Sequence, residues 1–300
     1  MTPQTKRARR AATAGVVAAA AALLAAVPAQ AAFPGKNGRV AFASQTVDAS
    51  NQLVRSNIQT VNADGSARVL FGTCRRLRSC RDGSPTWSPT GSMLAFASLT
   101  RLGTAAADGS RVDRIRRRTL RDGEPAWAPD GARLAFTGQP RSDAPLNVFI
   151  LGCPGCALRQ LTFRGGTEPT WSSTDRVAFT RKSNLATMGS TATRAKRLTF
   201  KGGTQADWSP HGSKLAFVRK GNVYIVRRNG KGLKRITGKG GTDPVWSPNG
   251  TQLAFVRGGA IYVVGTDKKG LHQLAAPQPQ VPAVPGERVR LASPSWQPVR

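Results

Sequence analysis

The sequence predicts an all-β fold: a six-bladed β-propeller with four-stranded antiparallel blades, closed by a C-terminal strand that completes the first blade. Three observations carry this. All six tryptophans of the 300-residue chain share one local context: PTWSPTG at 85–91, PAWAPDG at 125–131, PTWSSTD at 169–175, ADWSPHG at 206–212, PVWSPNG at 244–250 and PSWQPVR at 294–300. They are 40, 44, 37, 38 and 50 residues apart, and a period near 40 with several short strands is the pattern of a propeller blade. A second motif, Leu/Val-Ala-Phe, follows eight or nine residues after each of the first five, ending in Phe96, Phe136, Phe179, Phe217 and Phe255. An extra copy ending in Phe42 has no Trp before it, and Trp296 has no Ala-Phe after it. The repeat therefore starts midway and is completed by its far end, as a ring requires and an open solenoid does not.

Residues 1–31 read as a secretory signal peptide. Lys6, Arg7, Arg9 and Arg10 precede a run of Ala, Val and Leu over 11–27, and Ala29-Gln30-Ala31 offers a small-x-small cleavage site. The run is short and Ala-rich for a stable membrane span, and nothing later in the sequence is apolar enough to replace it. Residues 32–300 form the propeller. In each repeat strand a carries the Trp, and a turn such as Asp130-Gly131, His211-Gly212 or Asn249-Gly250 leads to strand b, the Leu-Ala-Phe run. Strand c is clearest in NVYIV (222–226) and AIYVV (260–264). After a second turn, as at Asp64-Gly65, Asp108-Gly109 or Asn229-Gly230, strand d ends in Leu-Thr-Phe (161–163, 198–200) or Ile-Thr-Gly (236–238). Glycine after Asp or Asn supplies the positive φ of tight hairpins. The Pro-rich stretch near 277–285 is a semi-rigid connector to the last strand.

The repeat P-x-W-S-P-x-G, Leu-Ala-Phe, Val-Tyr-Ile-Val, Leu-Thr resembles that of TolB-like β-propellers, also called WD-repeat-like, over about residues 33–300. Blade 2 departs, with a thin strand c in GTAAADG (103–109), and blade 4 departs with Ser173 and Asp175 in its turn and a weak strand c near Leu185–Met188. The N-terminal α/β domain of TolB has no counterpart in this sequence. The resemblance implies the fold and a protein-binding role, without implying the partners of the Tol system.

Composition narrows the chemistry. Lys and Arg number 45 against 15 Asp and Glu, a net charge of +30, and there are 2 His. A His-rich metal site is excluded. His211 occupies a turn slot and His272 lies in or beside an outer strand, each without an evident nucleophile, so a Ser-His-Asp arrangement is not expected. No glycine-rich phosphate loop precedes a helix. Cys74 with Cys80, and Cys153 with Cys156, read as two local disulfides of an exported protein. Zinc would need all four sulfurs on one side, whereas the first pair lies in a d–a connection and the second in a c–d turn, on opposite faces. Cys153-Pro-Gly-Cys156 lacks the following helix that lowers a redox thiol's pKa. Trp87, Trp127, Trp171, Trp208, Trp246 and Trp296 are expected to be structural wedges between blades, the alternative being a stacking surface for a ligand.

Two rings define the candidate site. The d–a and b–c loops share one face, here called the upper face. Six or seven residues before each Trp stands a cation: Arg81, Arg121, Arg164, Lys201, Lys239 and Arg290. The b–c loops add Arg55, Arg101, Arg141, Arg181, Lys182, Arg219, Lys220 and Arg257. Clustered charge of one sign steers polyanions, so this is the expected partner-binding ring, although a protein this basic is positive on most faces. Three residues before each Trp come Ser84, Glu124, Glu168, Gln205, Asp243 and Ser293, which should surround the mouth of the central channel. Such oxygens suit a Ca²⁺-type cation or a partner's basic group, or simply accept hydrogen bonds from loop amides. The sequence thus predicts an exported, monomeric, non-enzymatic binding or scaffold protein of the periplasm, cell envelope or medium. Its partner is a protein or an anionic envelope polymer, with no sequence-specific nucleic-acid binding. A metal-dependent hydrolase or lyase using Glu124, Glu168 and Asp243 at the mouth is the alternative.

Overall fold

The computed structural model describes residues 33–71, 81–115, 119–152, 157–278 and 285–299. The signal segment 1–31 and most of the connector 277–285 lie outside the described residues. So do Cys74, Cys80, Cys153 and Cys156, and with them both expected disulfides, Cys74 to Cys80 and Cys153 to Cys156.

The strands in chain order are β1 (Lys36–Val47), β2 (Leu53–Val61) and β3 (Val69–Leu70); β4 (Asp82–Trp87), β5 (Met93–Ser98), β6 (Arg101–Ala106) and β7 (Asp113–Arg114); and β8 (Asp122–Trp127), β9 (Leu134–Gly138), β10 (Asn147–Leu151) and β11 (Leu158–Gln160). Then come β12 (Thr167–Trp171), β13 (Arg176–Arg181), β14 (Asn184–Gly189) and β15 (Lys196–Arg197), and β16 (Thr204–Trp208), β17 (Lys214–Arg219), β18 (Asn222–Arg227) and β19 (Lys234–Arg235). The last are β20 (Thr242–Trp246), β21 (Gln252–Arg257), β22 (Ala260–Gly265), β23 (His272–Ala275) and β24 (Arg288–Val299). They form six four-stranded antiparallel sheets, five of them consecutive in sequence, and the sixth has the order β24-β1-β2-β3. The described residues contain no helix.

Register repeats from blade to blade. Each Trp of strand a faces an aliphatic residue of strand b: Trp87↔Leu94, Trp127↔Leu134, Trp171↔Val177, Trp208↔Leu215, Trp246↔Leu253 and, across the closure, Trp296↔Val40. The closing pair β1·β24 runs from Lys36↔Val299 to Val47↔Arg288. Five Trp side chains are buried and Trp127 is half-buried. They pack between blades. Trp87 joins Ile58 of the preceding blade, Trp208 joins Leu185 and Leu198, and Trp296 lies with Ile261 and Val263 of blade 6. This is the wedge role, because a propeller has no other core than the seams between its sheets.

The thin strand c of blade 2 pairs fully as β6, from Met93↔Ala106 to Ser98↔Arg101. Its Gly103 lies opposite Phe96, and a Cβ there would come 2.5 Å from the Phe96 ring. The missing side chain makes room for that ring, which Arg114 covers at 4.8 Å. The weak strand c of blade 4 also forms, as β14. In its a–b turn Asp175 takes the positive φ (55°) that Gly91, Gly131, Gly212 and Gly250 take elsewhere.

One boundary differs from expectation. The outer strands stop before Leu-Thr-Phe and Ile-Thr-Gly, although the Leu161, Leu198 and Ile236 amides still donate to the Val148, Leu185 and Val223 carbonyls at 2.8 Å. Their threonine hydroxyls take over as acceptors for strand c: Val148 N, Leu185 N and Val223 N each donate to Thr162, Thr199 and Thr237 Oγ1 at 2.9 Å. Asn147, Asn184 and Asn222 then accept the amides of Gly165, Gly202 and Gly240, each at 3.1 Å. This Asn–Thr clasp fixes the d–a loops that carry Arg164, Lys201 and Lys239.

Candidate functional site

The upper mouth of the channel is a funnel of about 380 Å³. Ser84, Glu124, Glu168, Gln205, Asp243 and Ser293 all line it, with Gln45 and the prolines that follow most of them. The expected inner ring therefore comes together. A feature invisible in the sequence places it there. Each of these six residues has a positive φ, between 48° and 53°, although none is glycine. Each sits where strand a shifts register against strand b, as between Gly123 and Ala126 or Thr204 and Asp207. A bulge bends its strand and re-aims a side chain. A non-glycine residue held at positive φ stores backbone strain of roughly 1–3 kcal/mol.

The ring side chains are linked in series. Glu124 Oε2 accepts the Glu168 amide at 2.8 Å, and Glu168 Oε2 accepts the Gln205 amide at 2.8 Å. Gln205 Oε1 accepts the Asp243 amide at 3.3 Å, and Asp243 Oδ2 accepts the Ser293 amide at 3.2 Å. Each side chain thus holds the strained backbone of the next blade. Thr137 and Thr180 donate to Glu124 and Glu168 at 2.6 and 2.7 Å, and the Gln205 amide group donates to Asp243 Oδ1. Burial pushes the Glu124 carboxyl above its ordinary value, the Thr137 hydroxyl and Glu168 amide oppose this, and the nearby Glu168 and Asp243 charges add to it. Burial raises Asp243 as well, against the Ser293 amide and with the Glu168 charge. Among the described residues no three His, Cys, Asp or Glu are grouped so as to hold a metal ion.

Around the mouth, Arg81, Arg121, Arg164, Lys201 and Lys239 are exposed, and none forms an ion pair among the described residues. Arg290 is half-buried and donates to Gln45 and Asn51 at 3.0 and 3.3 Å, bracing the closure. Arg81 Nη1 reaches Leu53 O at 2.9 Å. The b–c cations divide: Arg55 pairs with Glu287 at 2.7 Å and Arg141 with Asp143 at 3.4 Å, and Arg181 and Arg257 donate to the carbonyls of Gly165 and Gly240. Arg101, Lys182 and Lys220 stay exposed. The histidines join neither ring: His211 is exposed in its turn, and His272 Nδ1 makes its 2.8 Å contact with the carbonyl of Gly270. Of the other residues singled out in the sequence, Cys74 and Cys80 precede the rim residue Arg81 in the chain, and Cys153 and Cys156 follow β10; all four fall outside the described residues.

Sequence reasoning missed Asp207. It stands one residue before Trp208, where the other repeats have Thr86, Ala126, Thr170, Val245 and Ser295. Its Oδ2 accepts the Trp246 amide at 2.8 Å and its Oδ1 the Thr170 hydroxyl at 3.3 Å. It lines an inner cavity of about 70 Å³ with Phe33, Trp87, Val245, Trp246, Pro248, Ser295 and Trp296. The indole N–H groups of Trp87, Trp246 and Trp296 are buried and have no acceptor among the described residues. Burial raises the Asp207 carboxyl from 3.8 to about 7, with the Trp246 amide, Thr170 hydroxyl and Trp208 amide opposing. The lone acid at the position before Trp was the signal available in the sequence.

No protein-family model matches the chain, and no curated protein matches it in sequence. Solved structures do match in shape. TolB from Acinetobacter baumannii superposes with a TM-score of 0.70 at 20% identity, over 89% of this chain and 68% of that one. A putative TolB from Agrobacterium tumefaciens gives 0.61 at 17%, over 87% and 99%. A chain of a nidogen/laminin complex gives 0.67 at 12%, over 87% and 98%. At these identities the likeness is one of fold, and the fold is that of a TolB-like six-bladed β-propeller.

Proposed function

We propose that this is an exported, non-enzymatic binding protein that engages a macromolecular partner, a protein or an anionic envelope polymer, through its upper face. The observation that carries this reading is the rim: five exposed cations on successive blades, without carboxylate partners among the described residues, around an oxygen-lined mouth. Cations left unpaired in a ring create a positive field directed at solvent, which accelerates and orients the approach of an anionic surface. The ring acids lie inside that field. They hold the neighbouring blade amides, which suits a rigid mouth against which a partner docks. The nidogen/laminin complex gives one propeller-shaped precedent for a protein–protein contact. The signal-like segment 1–31 supports export.

A pulldown with the tagged protein from its own cell-envelope fraction tests the reading, at low and high salt and with and without a chelator. A salt-sensitive, chelator-insensitive catch supports it. A catch lost to the chelator would move the function to Glu124, Glu168 and Asp243 and favour a cation-dependent mouth.

A further inference from the structure

A second site lies away from the mouth, on the outer side between blades 3 and 4. There a groove of about 550 Å³ is lined by Leu161, Thr162, Phe163 and Arg164 just past β11, and by Arg181, Met188, Thr193, Arg194 and Ala195 of blade 4. Its size is that of a site for a small organic ligand. Three guanidinium-bearing residues line it and no carboxylate does. None of the three forms an ion pair among the described residues. Arg181 is fixed by donating Nε–H to Gly165 O at 3.0 Å. Leu161 and Met188 lie beneath it, 3% and 2% exposed.

Phe163 supplies the independent observation. It is 72% exposed, as is its counterpart Phe200 one blade on. Phe200 is covered by the Arg197 guanidinium at 4.8 Å, whereas no ring or guanidinium stacks on Phe163 among the described residues. An aromatic face left open beside three unpaired arginines is a place for a flat, negatively charged molecule. The c–d turn of blade 4 carries no Asp-Gly or Asn-Gly, unlike those of blades 1, 2 and 5. Thr193 and Arg194 come from that altered loop.

We propose that this groove binds a small organic phosphate carrying a planar ring, the arginines taking the phosphate and Phe163 the ring. Arginine suits the part because its planar fork binds phosphate oxygens in pairs. More than one arginine matches the double charge of a phosphate monoester above its second pKa of about 6. Burial, with the neighbouring Arg164 charge adding to it, lowers the Arg181 pKa from its ordinary value, as befits cations crowded without an acid between them. Arg164 belongs to both the rim and the groove. Arg181 is also an upper-face b–c cation, whereas Phe163 and Arg194 belong to the groove alone, which separates this inference from the upper-face reading.

Isothermal titration at pH 7.5 and low salt tests it, with phenyl phosphate, inorganic phosphate and benzoate as probes. Phenyl phosphate should bind saturably at one site, about tenfold more tightly than either fragment, since ring and charge are each held. Phe163→Ala should bring phenyl phosphate down to the level of inorganic phosphate. Arg194→Ala should weaken phosphate and phenyl phosphate alike, by about tenfold. Both side chains are exposed, so melting temperatures should stay at the parental value and certify the fold. The Arg121→Ser/Lys239→Ser double variant, altered on the rim only, should bind phenyl phosphate as the parent does. Absence of saturable binding, equal affinity for phenyl phosphate and inorganic phosphate, or loss in the rim variant matching that in Arg194→Ala would each overturn the proposal.

Discussion

Replacing Asp207 by Asn should abolish a pH-dependent loss of stability that the channel interior imposes. The carboxyl is raised from 3.8 to about 7 in the folded protein. A raised acid pKa means that the folded state holds a proton which the unfolded chain has released between those values. Stability therefore falls as pH rises from about 4 to about 7, and is constant with respect to this group beyond either limit. The gap corresponds to about 4 kcal/mol at most, at about 1.4 kcal/mol per pH unit. Asn keeps an oxygen for the Trp246 amide and can donate its NH2 to the Thr170 hydroxyl oxygen, but cannot ionise. The assay is urea unfolding of parent and variant at intervals from pH 4 to pH 8. The difference between them cancels the background titration of the other acids and of the large positive charge. The parent should lose up to about 4 kcal/mol relative to Asp207→Asn over that range. Parallel curves would show that Asp207 ionises freely in the channel and would refute the argument.

Three further outcomes follow from the packing. Trp296→Ala should cost about 3–5 kcal/mol in urea unfolding, as for a buried aromatic, and Trp127→Ala less, because Trp127 is half-buried. Glu124→Gln should be neutral or stabilising at neutral pH, since it removes a buried charge near Glu168 and Asp243. Glu124→Ala should instead cost about 1–3 kcal/mol by removing the acceptor of the Thr137 hydroxyl and the nearer of the two acceptors of the Glu168 amide, a contrast read from two melting curves. Gly103→Val should destabilise blade 2 by about 1–3 kcal/mol, because a side chain there meets the Phe96 ring, and hydrogen exchange in β5 and β6 should locate the damage.

The architecture was legible because propeller blades repeat one packing problem, and Trp is rare enough to count its solutions. Phe42 without a Trp and Trp296 without a Phe showed the closure that β24 makes with β1. The two rings were legible in position but not in conformation. Local propensity puts glycine, not Glu or Gln, at positive φ. The bulge at Glu168 or Gln205 is held by the side chain of the preceding blade, which no local window contains. The same holds for Asp207, whose carboxyl is raised by burial among neighbouring blades and accepts the Trp246 amide 39 residues away. The Asn–Thr clasp under the rim was written in the repeat as Asn184/Thr199 and Asn222/Thr237. The pattern was read there as strand, because a threonine flanked by apolar residues has strand character. Pairing of the rim cations depends on where acids such as Glu287 and Asp143 fall in three dimensions.

The most direct test of the upper-face account is binding of a linear polyphosphate as a function of salt. Parent protein should be compared with a variant carrying Arg121→Ser, Arg164→Ser, Lys201→Ser and Lys239→Ser together. The account predicts weaker binding and a shallower slope of log affinity against log salt, by about one for each cation that had engaged a phosphate. Affinity and slope equal to those of the parent would contradict it.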